Sequence, residues 1–217
     1  MIVGKFVSES NIHDCFKLLD DEVLKQFKLI YKEGEIKKGR NLLAFEVAKR
    51  NVFNFLNVEL ATIKNGDVIK IIALEQRFER ILEHPSLPFL VKIGGSVDRI
   101  EERNGIIRII DYKTGKVEKA NVTLKSWNRL TEDIKNDKII QILAYAYMFE
   151  KEINDKPIEA GIISFKNLKS GFLPFNFKES KEATTIIDSQ ILSNYLEQIV
   201  LLLNKILDPN VDFKEKV

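Results

Sequence analysis

The stretch GGSVDRIEERNGIIRIIDYKTG, Gly94 to Gly115, decides how the chain is read. Two apolar runs flank Asn104-Gly105, a pair that tolerates positive φ at both central positions of a tight turn and signals a β-hairpin. With a two-residue loop, Arg103 faces Ile106. Stepping back along both strands then brings Asp98 opposite Asp111. Lys113 lies two residues further on and points to the same face as Asp111. Like charges directly opposite each other destabilise a sheet. Two carboxylates so placed, with a lysine beside them, call for a cation between them, and a hard divalent metal suits such oxygen ligands.

The same residues resemble the core of the PD-(D/E)xK nuclease superfamily. They are most similar to its RecB-type branch, which includes the nuclease domains of RecB and AddB helicase–nucleases. Asp98 matches the first acidic position within G-x-x-D-R, and Asp111 and Lys113 match the D-x-K element within D-Y-K-T-G. Further on, Gln141-Ile-Leu-Ala-Tyr145 matches the Q-x-x-x-Y motif of that branch, in the same order along the chain. The resemblance runs from about Gly39 to Phe177. It implies an α/β fold with a restriction-endonuclease-like core over 39–177, a central mixed β-sheet flanked by helices, and helical additions over 1–38 and 178–217, all in one domain. RecB-type domains commonly sit at the end of large helicase–nucleases, so the resemblance is also compatible with one domain cut from such a protein.

Composition sets wider bounds. The 217 residues suit one large domain, and 45% hydrophobic content provides a core. The formal net charge of +2 announces no nucleic-acid partner by itself. From Phe89 to Leu130, nine Lys or Arg stand against five Asp or Glu, either a footprint for phosphate or a solvated face. The single cysteine, Cys15, excludes a disulfide framework and a cysteine-held zinc or iron–sulfur site within the chain. It lies in an apolar-periodic stretch and reads as a small buried hydrophobe. No apolar run is long enough to span a membrane and no signal peptide is seen, so the expected location is the cytoplasm.

Taken in order, Ser10–Tyr31 and Asn41–Val58 carry apolar residues at helical spacings. His13, in the first of these, reads as an ordinary surface or core-edge histidine. RecB-type relatives often place a metal-ligating histidine four residues after a glycine at the second helix. Gly39 fits that glycine, but the histidine position is Leu43. Glu46, one turn on along the same face, is either a substitute ligand or a surface carboxylate. Val68–Leu82 reads as a strand. Glu75 within it is either a further site carboxylate, as relatives often have on this strand, or an ion-pair partner of Arg77 or Arg80. His84-Pro85 breaks the strand, which makes His84 a loop residue.

After the hairpin, Lys116–Arg129 is irregular and lysine-rich. Trp127 within it either stacks on a base or packs on the core. Thr131–Glu150 is predicted as a helix with a core stripe of Ile139, Ile142, Leu143, Ala146 and Phe149. Gln141 and Tyr145 share a face offset from that stripe. Asn154–Pro157 reads as a turn, Ile158–Phe165 and Phe172–Phe177 as strands around Lys169–Gly171, and Lys181–Leu207 as a long amphipathic helix.

The expected chemistry is hydrolysis of a phosphodiester bond in DNA, in repair or recombination, with Mg²⁺ or Mn²⁺ as cofactor. Asp98 and Asp111 supply carboxylates, and by family analogy the Tyr112 carbonyl is a further ligand. Lys113 orients the attacking water or stabilises charge on the phosphate. Gln141 and Tyr145 bind phosphate oxygens or position the Lys113 amine. Nothing resembles a Walker loop, so a helicase partner would be a separate chain or domain. The alternative is a catalytically silent nuclease-fold module that binds DNA or scaffolds a helicase.

Overall fold

The computed structural model describes residues 3–32, 38–150, 156–178 and 184–213. The chain divides into two compact units, 1–71 and 72–217.

The first unit is built on two helices, α1 (Glu9–Tyr31) and α2 (Gly39–Lys64). Ser8 and Asn11 form a capping box at the start of α1, with Asn11 N–H donating to Ser8 Oγ at 3.3 Å and Ser8 N–H to Asn11 Oδ1 at 2.9 Å. The two helices meet through aromatic edges, Phe16 on Phe53 and Phe27 on Phe45, with ring centroids 5.3 and 5.4 Å apart. Cys15 is only half-buried, because the buried stripe of α1 runs through Ile12, Leu19 and Phe27. His13 is exposed, with its ring 6.5 Å from that of Phe16.

Strand β1 (Ile69–Leu82) runs across the unit boundary. It is followed by β2 (Val91–Arg103), β3 (Ile106–Lys113), the short β4 (Thr123–Leu124), α3 (Asp137–Phe149), β5 (Ile158–Ser164), β6 (Phe172–Pro174), β7 (Asn176–Phe177) and α4 (Ser189–Leu207). Five strands form one sheet in the order β1-β2-β3-β5-β6. β2 and β3 are antiparallel, β3 and β5 parallel, and β5 and β6 antiparallel. This is the expected α/β architecture with a central mixed sheet. The parallel β3–β5 pair needs a crossover, and α3 supplies it. β5 is buried at every position, as a strand covered on both faces should be. α3 packs on β2, β3 and β5, and its predicted stripe is buried to the last residue, joined by Tyr145, Tyr147 and Met148.

Several boundaries moved for local reasons. The helix expected from Thr131 begins at Asp137. It is preceded by a 3₁₀ turn over Ile134–Asn136, whose start is capped by Asp133 accepting from Lys135 N–H at 2.9 Å. The strand expected over Phe172–Phe177 is split. Pro174 lies opposite Gly161 and Phe175 N–H still donates to the Ala160 carbonyl at 2.7 Å, after which Asn176–Phe177 pairs instead with Thr123–Leu124 in a second, two-stranded sheet. The last helix starts at Ser189, where Asp188 accepts from Ile191 N–H at 2.8 Å. Asn154, Asp155 and the residues from Lys181 to Ala183 lie outside the described residues. Trp127 packs against the core, 5.1 Å from the Phe177 ring. His84 is a loop residue whose Nδ1 lies 2.8 Å from Ser86 Oγ. Among the described residues no helix is long and apolar enough to cross a membrane.

Candidate active site

The hairpin turns as its sequence requires. Asn104 and Gly105 sit at φ 52° and 86°, and the register runs from Arg103↔Ile106 to Arg99↔Ile110. Asp98 and Asp111 are the next positions on the two strands. There the ladder gives way to a side chain: Tyr112 N–H donates to Asp98 Oδ2 at 2.7 Å. One carboxylate oxygen thus takes the hydrogen bond that the neighbouring strand would otherwise accept. The Tyr112 ring stacks on Phe165, with centroids 5.6 Å apart.

Asp111 is 3% exposed. Burial holds its carboxyl above the usual carboxylate range. Lys113 pulls against that rise, Asp98 adds to it and Lys138 opposes it. Lys113 Nζ stands 2.9 Å from Asp111 Oδ2 and pairs with it.

A chain of two hydrogen bonds ties the hairpin to α3. Lys113 Nζ donates to Gln141 Oε1 at 2.9 Å, and Gln141 Nε2 donates to Tyr145 OH at 2.8 Å. The helical spacing of Gln141 and Tyr145 aligns both over the hairpin. Burial raises the Tyr145 phenol above its ordinary value, and the Asp111 and Asp98 charges add to the rise. Tyr145 comes this close because residue 95 is glycine. A Cβ there would sit 3.3 Å from Tyr145 Cε1.

Glu75 joins the acidic pair. It takes φ 47°, a left-handed backbone inside β1, at a cost of roughly 1–3 kcal/mol of strain. The burial alternation of β1 breaks at that residue. Glu75 is exposed overall, yet partial dehydration and the nearby Asp98 charge hold its carboxyl above the usual range. Its neighbours Arg77 and Arg80 are engaged elsewhere, with Glu79 and Glu150. Glu46 and Leu43 both lie on α2 in the first unit and are exposed.

The structure therefore brings Asp98, Asp111, Lys113, Gln141 and Tyr145 together, with Glu75 beside Asp98. Among the described residues no group of three or more His, Cys, Asp or Glu side chains is arranged to hold a metal. Two adjoining carboxylates, one of them buried, suit Mg²⁺, which keeps several waters and takes one or two carboxylates plus substrate phosphate. Lys138 was not singled out in the sequence. Its spacing from Gln141 and Tyr145 was the available signal.

A search of solved structures finds a likeness to one described as "Crystal structure of SSO0001". Identity is 15%, 83% of this chain and 85% of that chain are covered, and the TM-score is 0.27, too slight a likeness to carry an argument. No curated protein matches the chain. The family model of the PD-(D/E)XK nuclease superfamily matches residues 8–216, from the capping box of α1 to beyond α4. On a match of that extent, which takes in the acidic hairpin and the helix that closes over it, the chain belongs to the PD-(D/E)XK nuclease superfamily.

Proposed function

We propose that the protein is a divalent-metal-dependent deoxyribonuclease of the RecB type, one nuclease domain over 1–217, acting in the cytoplasm in DNA repair or recombination. We take it to be an exonuclease that works with a helicase subunit or domain. The observation that carries this reading is the buried Asp111, set beside Asp98 and paired with Lys113, which is tied in turn to Gln141. Asp98, Asp111 and the Tyr112 carbonyl would hold the Mg²⁺ or Mn²⁺, and Glu75 lies close enough to Asp98 to add a charge. When bound, the cation supplies Lewis acidity toward the phosphate and lowers the pKa of water.

The chain's own groups do the rest. Lys113 directs its amine group at the oxygen on which negative charge grows. Gln141 Oε1 fixes the direction of that group, and Tyr145 fixes the amide in turn. The Tyr145 hydroxyl, accepting from Gln141, keeps its own proton free to donate to a phosphate oxygen.

Leu43, where relatives carry a histidine, favours a second reading, a silent module that binds DNA or scaffolds a helicase. One experiment separates the two: linear and circular DNA, single- and double-stranded, incubated with Mg²⁺ or Mn²⁺ beside Lys113→Ala. Metal-dependent loss of linear but not circular DNA, abolished in the variant, supports the exonuclease. DNA bound but left intact by the wild type supports the silent module.

A further inference from the structure

Lys138 stands one turn before Gln141 and two before Tyr145 on α3. Spacings of three and seven put all three on one face, and the helix packs on β2 and β3, which carry the acid pair. Its charge is felt at Asp111. Its ammonium now rests 3.1 and 3.3 Å from the carboxylate oxygens of Asp137, whose side chain is 63% exposed. A surface pair of that kind holds weakly, so an arriving phosphate displaces it readily. Lys113, by contrast, is committed to Asp111 and Gln141. A polynucleotide brings a charge at every residue, and its affinity comes mainly from cations placed along that backbone.

We infer that Lys138 is a phosphate-binding residue, holding the phosphate next to the one positioned over Asp98 and Asp111. The inference rests on the nuclease reading above and extends it, since Lys138 falls in none of the motifs G-x-x-D-R, D-Y-K-T-G or Q-x-x-x-Y. The competing role for a lysine here is only to offset the Asp111 charge.

The two roles separate in an Asp111→Asn background, where that charge is gone and binding is read without hydrolysis. Labelled single-stranded DNA, duplex DNA and single-stranded RNA are titrated by fluorescence anisotropy over a range of salt, with Asp111→Asn and with Asp111→Asn/Lys138→Gln. The expected result is affinity lower by about fivefold at roughly 0.1 M salt, with the log–log salt slope shallower by about 0.7 on a single strand and about 0.9 on duplex. Lys138→Arg in the same background restores both. Equal affinity and equal slope with and without Lys138 overturn the inference and leave the lysine as a neighbour that offsets Asp111. If Asp111→Asn itself binds none of the three, the nuclease reading fails, and this inference fails with it.

Discussion

The two faces of the β2–β3 hairpin both bury charge, and they treat it in opposite ways. On one face Arg99, Glu101 and Arg103 are 1%, 0% and 8% exposed and alternate in sign. Glu101 takes Arg99 on one oxygen and Arg103 Nε on the other, the latter at 2.8 Å. Arg108, opposite Glu101 in the register, donates through Nε to Glu159 at 3.0 Å, and Thr185 donates to the other Glu159 oxygen at 3.0 Å. Every carboxylate there has its cation. On the other face two aspartates adjoin, a glutamate stands near, and one lysine pairs with Asp111, so carboxylates outnumber the cation in contact with them. Buried charges matched within the fold hold the fold. Buried charges left in surplus invite something from outside.

Substitutions on the two faces should break the molecule differently. Asp111→Asn should lower cleavage by about 10³-fold, the loss of several kcal/mol of charge stabilisation, while its melting temperature in EDTA stays at or above that of wild type. Glu101→Gln should do the reverse. Removing the buried carboxylate charge that Arg99 and Arg103 share costs about 3–5 kcal/mol, read as a lower denaturation midpoint, with turnover per folded molecule near wild type. If Asp111→Asn unfolds the protein, or Glu101→Gln abolishes turnover in the folded fraction, the distinction between the faces is wrong.

Gln141→Ala tests the tie between hairpin and helix. Cleavage should fall by about tenfold, the value of a roughly 1.4 kcal/mol interaction. Added to Lys113→Ala, Gln141→Ala should cost little more, because the two act as one unit. A further tenfold loss in the double variant would mean that Gln141 acts on substrate rather than through Lys113.

The smallest effects are thermal. Mg²⁺ at about five times its dissociation constant should stabilise wild type by about 1 kcal/mol, some 2–4 °C in a chain of this size, and should leave Asp111→Asn unmoved. In EDTA the raised Asp111 carboxyl binds its proton more tightly folded than unfolded. Stability from this group is therefore complete below the ordinary carboxylate range and declines as pH rises towards the folded value, then levels off. Asp111→Asn should flatten that decline.

Much of this site was legible because its parts are local. Asn104-Gly105 fixes the turn, the turn fixes the register, and the register delivers Asp98 to Asp111. The helical period delivers Gln141 to Tyr145. The other face was not legible. Arg-x-Glu-x-Arg at period two reads as a solvated edge, because alternating charges on a strand usually mean water, and only the packed fold shows them buried. The left-handed Glu75 carries no sequence signal either, since glutamate has no preference for that backbone. The passage of Asn176–Phe177 to a second sheet was not legible either, because it depends on pairing with the distant Thr123–Leu124.

The hydrogen bond from Tyr112 N–H to Asp98 also bears on how such proteins would lose their activity. Asp98 satisfies a backbone donor that would otherwise be orphaned beside the sheet, so selection for folding alone retains it. Asp111 has no such tie, and its ionised form is a burden in the absence of a ligand. A lineage that abandoned catalysis would drift at Asp111 first and keep Asp98 long afterwards. Among sequences related to this one, the second aspartate is therefore the better witness to a living enzyme.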